Sequence, residues 1–324
     1  MTTVRHRLLT AMLFILSSFS AFGQSFPSQT VRIVMPWPAG GSTDTLARAL
    51  AKELSPVWGQ PVVVENVPGA ASTVGTSKFV TSAPDGHTLM VTVNTYTITP
   101  ALFKNLPYNP LTDLAPVSKI ALATYTFVVN PAVFPAASMQ EAVALIRANP
   151  GKYFYASPGN GTPHHVGMEL IKLRLGLNAT HVPYKGFAGA MTDLVGGQVH
   201  MMFTLIHSSI PHVRSGRIRA LAVTGAQRSP QYPEAPTFRE QGIDFMDDMD
   251  AWYAVMAPGR TPPELVARVN ADVNAVMGLA DVRDHLVKQG MIPVTSTPGE
   301  LAALIRSDLA RWAKVVADAK IKMD

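Results

Sequence analysis

Cysteine is absent from all 324 residues of the chain. That excludes disulfides, thiolate nucleophiles and thiolate-bound metals, and with them the acylated cysteine that would tether an exported protein to a membrane. Charge is sparse too. Asp, Glu, Lys and Arg make up only 15% of the chain, and no run of Lys and Arg interleaved with aromatics offers a face to nucleic acid. No apolar run reaches the about 20 residues that span a bilayer, and no fixed-period repeat is present. There is no G-x-G-x-x-G fingerprint, no P-loop, no Gly-x-Ser-x-Gly elbow and no His-Glu-x-x-His pair. An enzyme should display a nucleophile with an adjacent base, a metal set or a cofactor turn. Catalytic residues, metal and cofactor are therefore all expected to be lacking.

What is present is apolar material, turns and an address. Hydrophobic residues make up 47% of the chain, enough for real cores. The length favours two domains, at about 100–200 residues each. The 26 prolines and 23 glycines are spread along the chain, as many short turns would require. Arg5 and Arg7 precede the mostly apolar stretch Leu8 to Leu16, and Ala21-Phe22-Gly23 supplies small residues for a cleavage site. Residues 1–23 thus read as a secretory signal, with the mature protein starting near Gln24 in the periplasm. Cleavage would remove two arginines and no acid, lowering the formal charge from +5 by two. The mild, scattered excess that remains gives a weak bias toward anionic ligands.

Beyond the signal the pattern alternates. Val31–Met35, Val62–Val64 and Thr88–Val93 read as buried strands. Between them lie a helix carrying Leu46, Leu50 and Leu54 at i, i+4, i+8 and helical sequence over 75–81. Ile120–Val129 reads as one further strand. The βα pattern then restarts: helices at Met139–Ala148, His164–Leu175 and Ala188–Val195, strands at Tyr153–Ala156, Thr180–Val182, Val199–Phe203 and Arg219–Val223. It returns to the first pattern with a strand at Trp252–Ala257, a helix from Pro262 to Met277 and a long helix over Pro298–Lys320. This order predicts an α/β fold of two lobes, each a mostly parallel sheet flanked by helices. Lobe 1 comprises 28–125 and 226–324, and lobe 2 comprises 126–225. Chain crossings between lobes make natural hinges, and ligands bind at the carboxyl ends of strands facing a shared cleft.

Four segments fall at those ends. In Pro36-Trp37-Pro38-Ala39-Gly40-Gly41-Ser42-Thr43-Asp44, the glycine pair permits a sharp turn and Ser42 is placed to cap the next helix. The result is a row of backbone N–H groups suited to a carboxylate, although an ordinary βα turn would look the same. In Tyr155 to His165, Ser157 and Thr162 offer hydroxyls around Gly159 and Gly161, with Thr162 as N-cap and Pro163 at the first helical position. His165 and Glu169 share a helix face, where a structural histidine is favoured over a metal ligand. In the third segment Tyr184 can donate a hydrogen bond and Lys185 can pair with an anion or stay in solvent. The fourth is the polar loop Asn94–Thr97, which contributes Thr95 and Tyr96. Thr204, just past the strand Val199–Phe203, completes the expected ligand set. The acidic group Asp244, Asp247, Asp248 and Asp250 lacks the order of a calcium loop and reads as a solvated surface loop.

Taken together these segments resemble the tripartite tricarboxylate transporter substrate-binding family, also called the Bug family, across essentially the whole mature chain. The resemblance is carried by Pro36-x-Pro38-x-Gly40-Gly41-x-x-Asp44, Gly159-x-Gly161-Thr162 with His165, Val182-Pro183-Tyr184-Lys185-Gly186, Asp193-Leu194-x-Gly196-Gly197 and Ala235-Pro236-Thr237-x-x-Glu240-x-Gly242. Trp252 to Pro258 followed by Thr261-Pro262 also fits. It implies a type II periplasmic-binding-protein fold, no catalysis, and a small carboxylate ligand such as a citrate-like acid, a dicarboxylate, an acidic or amidated amino acid or an aromatic acid, held by main-chain amides, hydroxyls and waters. Those roles would fall on Gly40, Gly41, Ser42, Asp44, Ser157, Gly161 and Thr162, with Tyr184 and Lys185 nearby. The partner it implies is a two-component integral membrane permease, served by a monomer. Gly189 stands where the family usually has proline, which puts the local helix start in doubt. An exported ligand sensor for a membrane receptor needs the same closing cleft. A secreted enzyme acting on carboxylic acids would need the motifs that are missing.

Overall fold

The computed structural model describes residues 26–103 and 105–321, and of Ser42 the backbone alone. The expected signal segment lies outside the described residues. In chain order the first elements are β1 (Val31–Met35), α1 (Ser42–Trp58), β2 (Val62–Asn66), α2 (Thr73–Val80), β3 (Thr88–Val93), α3 (Thr95–Leu102) and β4 (Leu114–Ala123). There follow β5 (Tyr125–Val129), α4 (Met139–Ala148), β6 (Phe154–Ser157), α5 (Pro163–Leu175), β7 (Thr180–Pro183), α6 (Phe187–Val195), β8 (Met201–Leu205), α7 (Ile206–Arg214) and β9 (Arg219–Val223). The last are β10 (Ala251–Pro258), α8 (Pro263–Met277), α9 (Ala280–Lys288), β11 (Met291–Pro293) and α10 (Pro298–Asp318). Among the described residues no helix is long and apolar enough to cross a membrane.

The strands form two sheets. One has the order β11-β4-β10-β3-β1-β2 and the other β7-β6-β8-β5-β9. In the first, β1 sends Val31, Ile33 and Met35 to one core and Val34 to the other, as a pleated strand with helices on both faces must. Leu46, Leu50 and Leu54 of α1 join Val269 and Val273 of α8 against the first face. Leu301 and Ile305 of α10 cover the second. β1 pairs in parallel with β2 and β3, but β10 is antiparallel to both β3 and β4. The second sheet repeats this: β6 is parallel to β7 and β8, while β5 is antiparallel to β8 and β9. Both sheets are mixed, not mostly parallel. The parallel half holds the βαβ units and the antiparallel half holds the strands that enter directly from the other lobe.

Thr124 is the only residue between β4 and β5, so Ile120–Val129 is not one strand but the end of one and the whole of another, in different sheets. The Thr124 carbonyl accepts the Ile206 N–H at 3.0 Å, and Tyr125 exchanges bonds with Thr224. Hydrophobicity continues unbroken through this point and so hides the crossing. The return crossing falls at Asp250–Ala251, later than the expected 225/226 boundary. Residues 226–250 stay on the second lobe: the Val223 N–H donates to Pro236, the Phe238 N–H to Val223, and the Met139 N–H to the Gln241 side chain. Within that stretch Asp244 and Asp248 are exposed, but Asp247 pairs with Arg239 and Asp250 is half-buried against Thr224. It is thus a partly packed crossing and not a solvated loop. The elements α3, α7, α9 and β11 are additions. α3 occupies the expected loop Asn94–Thr97, and α7 carries Pro211 and three polar residues, His207–Ser209, which break any apolar period.

Candidate ligand-binding site

Between the two sheets lies a cavity of about 600 Å³, within the range of small-molecule sites. It opens where β1, β3, β6 and β8 end, so first-turn residues of five helices reach it: Thr43 of α1, Thr95 of α3, His164 of α5, Phe187 of α6 and His207 of α7. Each such terminus carries backbone N–H groups without intrahelical partners and a partial positive charge. None of the described lining residues is Asp, Glu, Lys or Arg. Two are histidines. Burial and the neighbouring His207 hold His164 down to about 3, and burial lowers His207 too. Both rings are therefore neutral near pH 7. The cavity offers an anion backbone and side-chain dipoles but no counter-charge.

On the first lobe the Gly-Gly turn is braced from behind. Asp44 is buried and accepts from the Gly40 N–H at 3.0 Å, Arg48 Nε at 2.9 Å and Asn66 Nδ2 at 2.9 Å. Burial opposes ionisation of this carboxyl, but those three bonds outweigh it and bring the pKa down to about 2. The Gly40 N–H is thus spent on the brace, and Gly40 sits at φ +87, a conformation that favours glycine. Gly41, at φ −80 and ψ 170, is the N-cap and lines the cavity. The expected cap, Ser42, is instead the first helical residue, and its side chain lies outside the described residues.

The second-lobe turn has its own brace. Thr162 caps α5: its hydroxyl accepts from the His165 N–H at 3.4 Å and donates to the Gly159 carbonyl at 2.8 Å. The Gly161 N–H donates to His165 Nδ1 at 3.1 Å. His165 stacks on His181 with centroids 3.9 Å apart, and His181 stacks on Tyr155 at 4.8 Å. Ser157 is buried and its hydroxyl meets His181 Nε2 at 2.7 Å. Burial, then the adjacent His165, lowers His181 to about 3. Glu169 is engaged by the Tyr155 hydroxyl and by Lys172, with Nζ at 2.6 Å. Among the described residues no cluster of three metal-ligating groups occurs.

Of the expected set, Gly41, Thr95, Gly161 and Thr162 line the cavity. Of the others, the Ser42 side chain lies outside the described residues, and the rest are placed elsewhere, each for a local reason. Gly40, Asp44, Ser157 and His165 form the braces. Tyr96 is wholly buried and donates to the Pro110 carbonyl. Tyr184 donates to Asp193 Oδ2 at 2.6 Å, and Lys185 is exposed. Thr204 is fully buried beside the cavity-lining Leu205. Gly189 lies in the first turn of α6, which starts cleanly at Phe187 without a proline. The lining rings Trp37, Tyr125, Phe187, Tyr253, His164 and His207 were assigned no ligand role from the sequence, although Trp37 and His164 fall in the glycine-rich segments singled out there. Leu205–Ser208 had the same usable signal, since it too follows a strand at its carboxyl edge.

A model of the tripartite tricarboxylate transporter family receptor matches residues 46–321. Protein BugT of Bordetella pertussis is 35% identical over 302 residues, covering 92% of each chain. Among solved structures, an R. palustris protein with adipate superposes with TM-score 0.80 at 32% identity, covering 92% of this chain and 99% of that one. MatC from Rhodopseudomonas palustris with bound malate gives 0.77 at 32% identity, covering 90% and 100%.

Proposed function

This chain belongs to the tripartite tricarboxylate transporter family of receptors, and from that premise we propose that it is a periplasmic solute-binding protein that captures a small carboxylate between its lobes and hands it to a two-component membrane permease. One observation carries the reading: five helix starts converge on a cavity whose lining, among the described residues, holds no charged side chain. A carboxylate there is stabilised by fixed N–H dipoles, each worth about 0.3–1 kcal/mol and up to about 2 kcal/mol when partly buried. A cation would meet the wrong end of every helix. Gly41 and Thr95 on one lobe and Gly161 and Thr162 on the other are the assigned contacts, and contacts from both lobes favour the closed form.

The relatives solved with adipate and malate support the ligand class. The family is one of receptors, and the role assigned to the cavity is capture and release. The test is a thermal-unfolding screen of the purified protein against organic acids, sugars and amines. A true ligand at 100 times its Kd adds about 2.7 kcal/mol of stability. Stabilisation by sugars or amines and by no carboxylate would refute the assignment.

A further inference from the structure

Two imidazoles of the cavity lining take no part in either brace. His164 stands in the first turn of α5 and His207 in the first turn of α7, both on the second lobe. They are near enough for His207 to lower the His164 pKa. In each ring Nδ1 is buried and has no hydrogen-bond partner. That leaves Nε2 as the nitrogen that can reach the cavity. A neutral imidazole carries one proton, and its place is set by what the two nitrogens meet. On Nδ1 the proton would be an orphaned buried donor, which proteins tolerate less well than an unfilled acceptor. Nε2–H is thus the favoured tautomer in both rings. Both rings are also held in place. His164 meets Tyr125 edge-on with centroids 5.5 Å apart, and Tyr125 stacks on the buried Phe203 at 4.7 Å. His207 is backed by the first lobe: Gly290, at φ +71 just before β11, makes room for it, since a Cβ at Gly290 would lie 2.9 Å from the His207 Cβ. Donors fixed in this way lose little freedom when a ligand arrives.

From this we propose that His164 and His207 are ligand-binding residues, which as neutral Nε2–H donors hydrogen-bond a carboxylate of the ligand from the second lobe. The proposal rests on the carboxylate-binding reading and deepens it, adding a pair of side-chain donors to the main-chain ones. A hydrogen bond to a charged acceptor is about twice as strong as one between neutral groups, so an uncharged donor still holds a carboxylate firmly. Neutrality has its own use. A cation at this place would be desolvated and unpaired whenever the cavity is empty, while a neutral ring costs the unliganded protein far less.

The tests are calorimetric titration and histidine NMR. The purified protein, freed of endogenous ligand, is titrated with succinate, malate, adipate, citrate, glutamate and benzoate, and the tightest binder is carried into the variants. His164→Phe and His207→Phe, which keep a ring and remove the donor, should each weaken it about tenfold or more, the scale of a hydrogen bond to a charged group. His164→Gln and His207→Gln set an amide N–H near the place of Nε2 and should each stay within about threefold of the parent. In the free parent at pH 7, nitrogen-15 spectra should show both rings protonated on Nε2 alone, and the ligand should shift both Nε2–H signals. Protonation on Nδ1, or on both nitrogens, would overturn the donor assignment. So would parent-like affinity in either phenylalanine variant, or a glutamine variant as weak as its phenylalanine counterpart, and each of these would leave the carboxylate site standing. Binding of none of the six acids would remove both. If a phenylalanine variant fails to fold, the tautomers read in the parent and their response to ligand still decide.

Discussion

At the scale of single residues, the two neighbouring glycines of the first-lobe turn do different work. Gly40 needs its positive φ, while Gly41 has an ordinary backbone and a Cβ built on it meets nothing within 4 Å. A side chain at Gly41 therefore fits the fold, at a position that lines the cavity. Gly41→Val should cost about 1 kcal/mol or less in stability, valine being a poorer N-cap, yet weaken carboxylate binding about tenfold or more, which calorimetry would read. Asp44 behaves in the reverse way. Its folded pKa of about 2 lies below the ordinary 3.8, so its ionised form contributes stability that is complete above about pH 4 and lost as pH falls through 2. Asp44→Asn should lower stability at pH 7 by about 2 kcal/mol, the scale of hydrogen bonds to a charged group. In urea titrations the gap to the parent should close between pH 4 and pH 2. A gap that stays constant down to pH 2 would mean that the carboxylate's charge does not hold the turn.

At the scale of elements, two threonine caps invite comparison. Thr162 opens α5 at the cavity, and Thr297 opens α10 far from it, accepting from the Glu300 N–H at 3.2 Å. Replacing either by alanine removes a cap worth about 1 kcal/mol. Only Thr162→Ala should also weaken ligand binding, because its hydroxyl ties the cap to the Gly159 carbonyl and so shapes the turn. Equal losses of affinity in the two variants would show that binding follows global stability instead. The Thr162 cap was readable beforehand: a hydroxyl residue, then proline at the first helical position, then an apolar period. The braces were not, since Asp44 reaching Gly40 and His165 reaching Gly161 depend on which way a short side chain turns at a helix start. The cavity's rings were hidden for a related reason. Tyr125 and Tyr253 sit in strands buried on both faces, where alternation no longer distinguishes core from cleft. Tyr96 and Tyr184 looked like better candidates because they sit in loop-like sequence, but each hydroxyl found a partner within its own lobe.

At the scale of the whole molecule, the two lobes are joined by crossings that meet each other. Thr224 donates its N–H to the Tyr125 carbonyl at 2.9 Å, accepts the Tyr125 N–H on its hydroxyl at 2.9 Å, and donates that hydroxyl to Asp250. The residue after each crossing, Tyr125 on one and Ala251 on the other, lines the cavity. Any movement of one lobe against the other thus passes through this knot, whose only titratable carboxyl is Asp250. Burial pushes Asp250 up to about 6; the Thr224 bond lowers it and Asp248 raises it further. The folded value lies above the ordinary 3.8. The fold therefore binds this proton more tightly than the unfolded chain does, and the resulting stability is present below about pH 4 and lost as pH rises through 6. Asp250→Asn keeps an acceptor for Thr224 and never ionises, so above pH 7 it should be more stable than the parent by about 1–2 kcal/mol, with little difference at pH 4. The same substitution tests the hinge. If closure tightens the knot, the parent's small-angle scattering radius should fall on ligand addition, and at pH 8 the asparagine variant should close at lower ligand concentration, because the parent alone must bury a charge there. A scattering radius unchanged by saturating ligand in both proteins would refute closure at this knot, whatever the affinity measured.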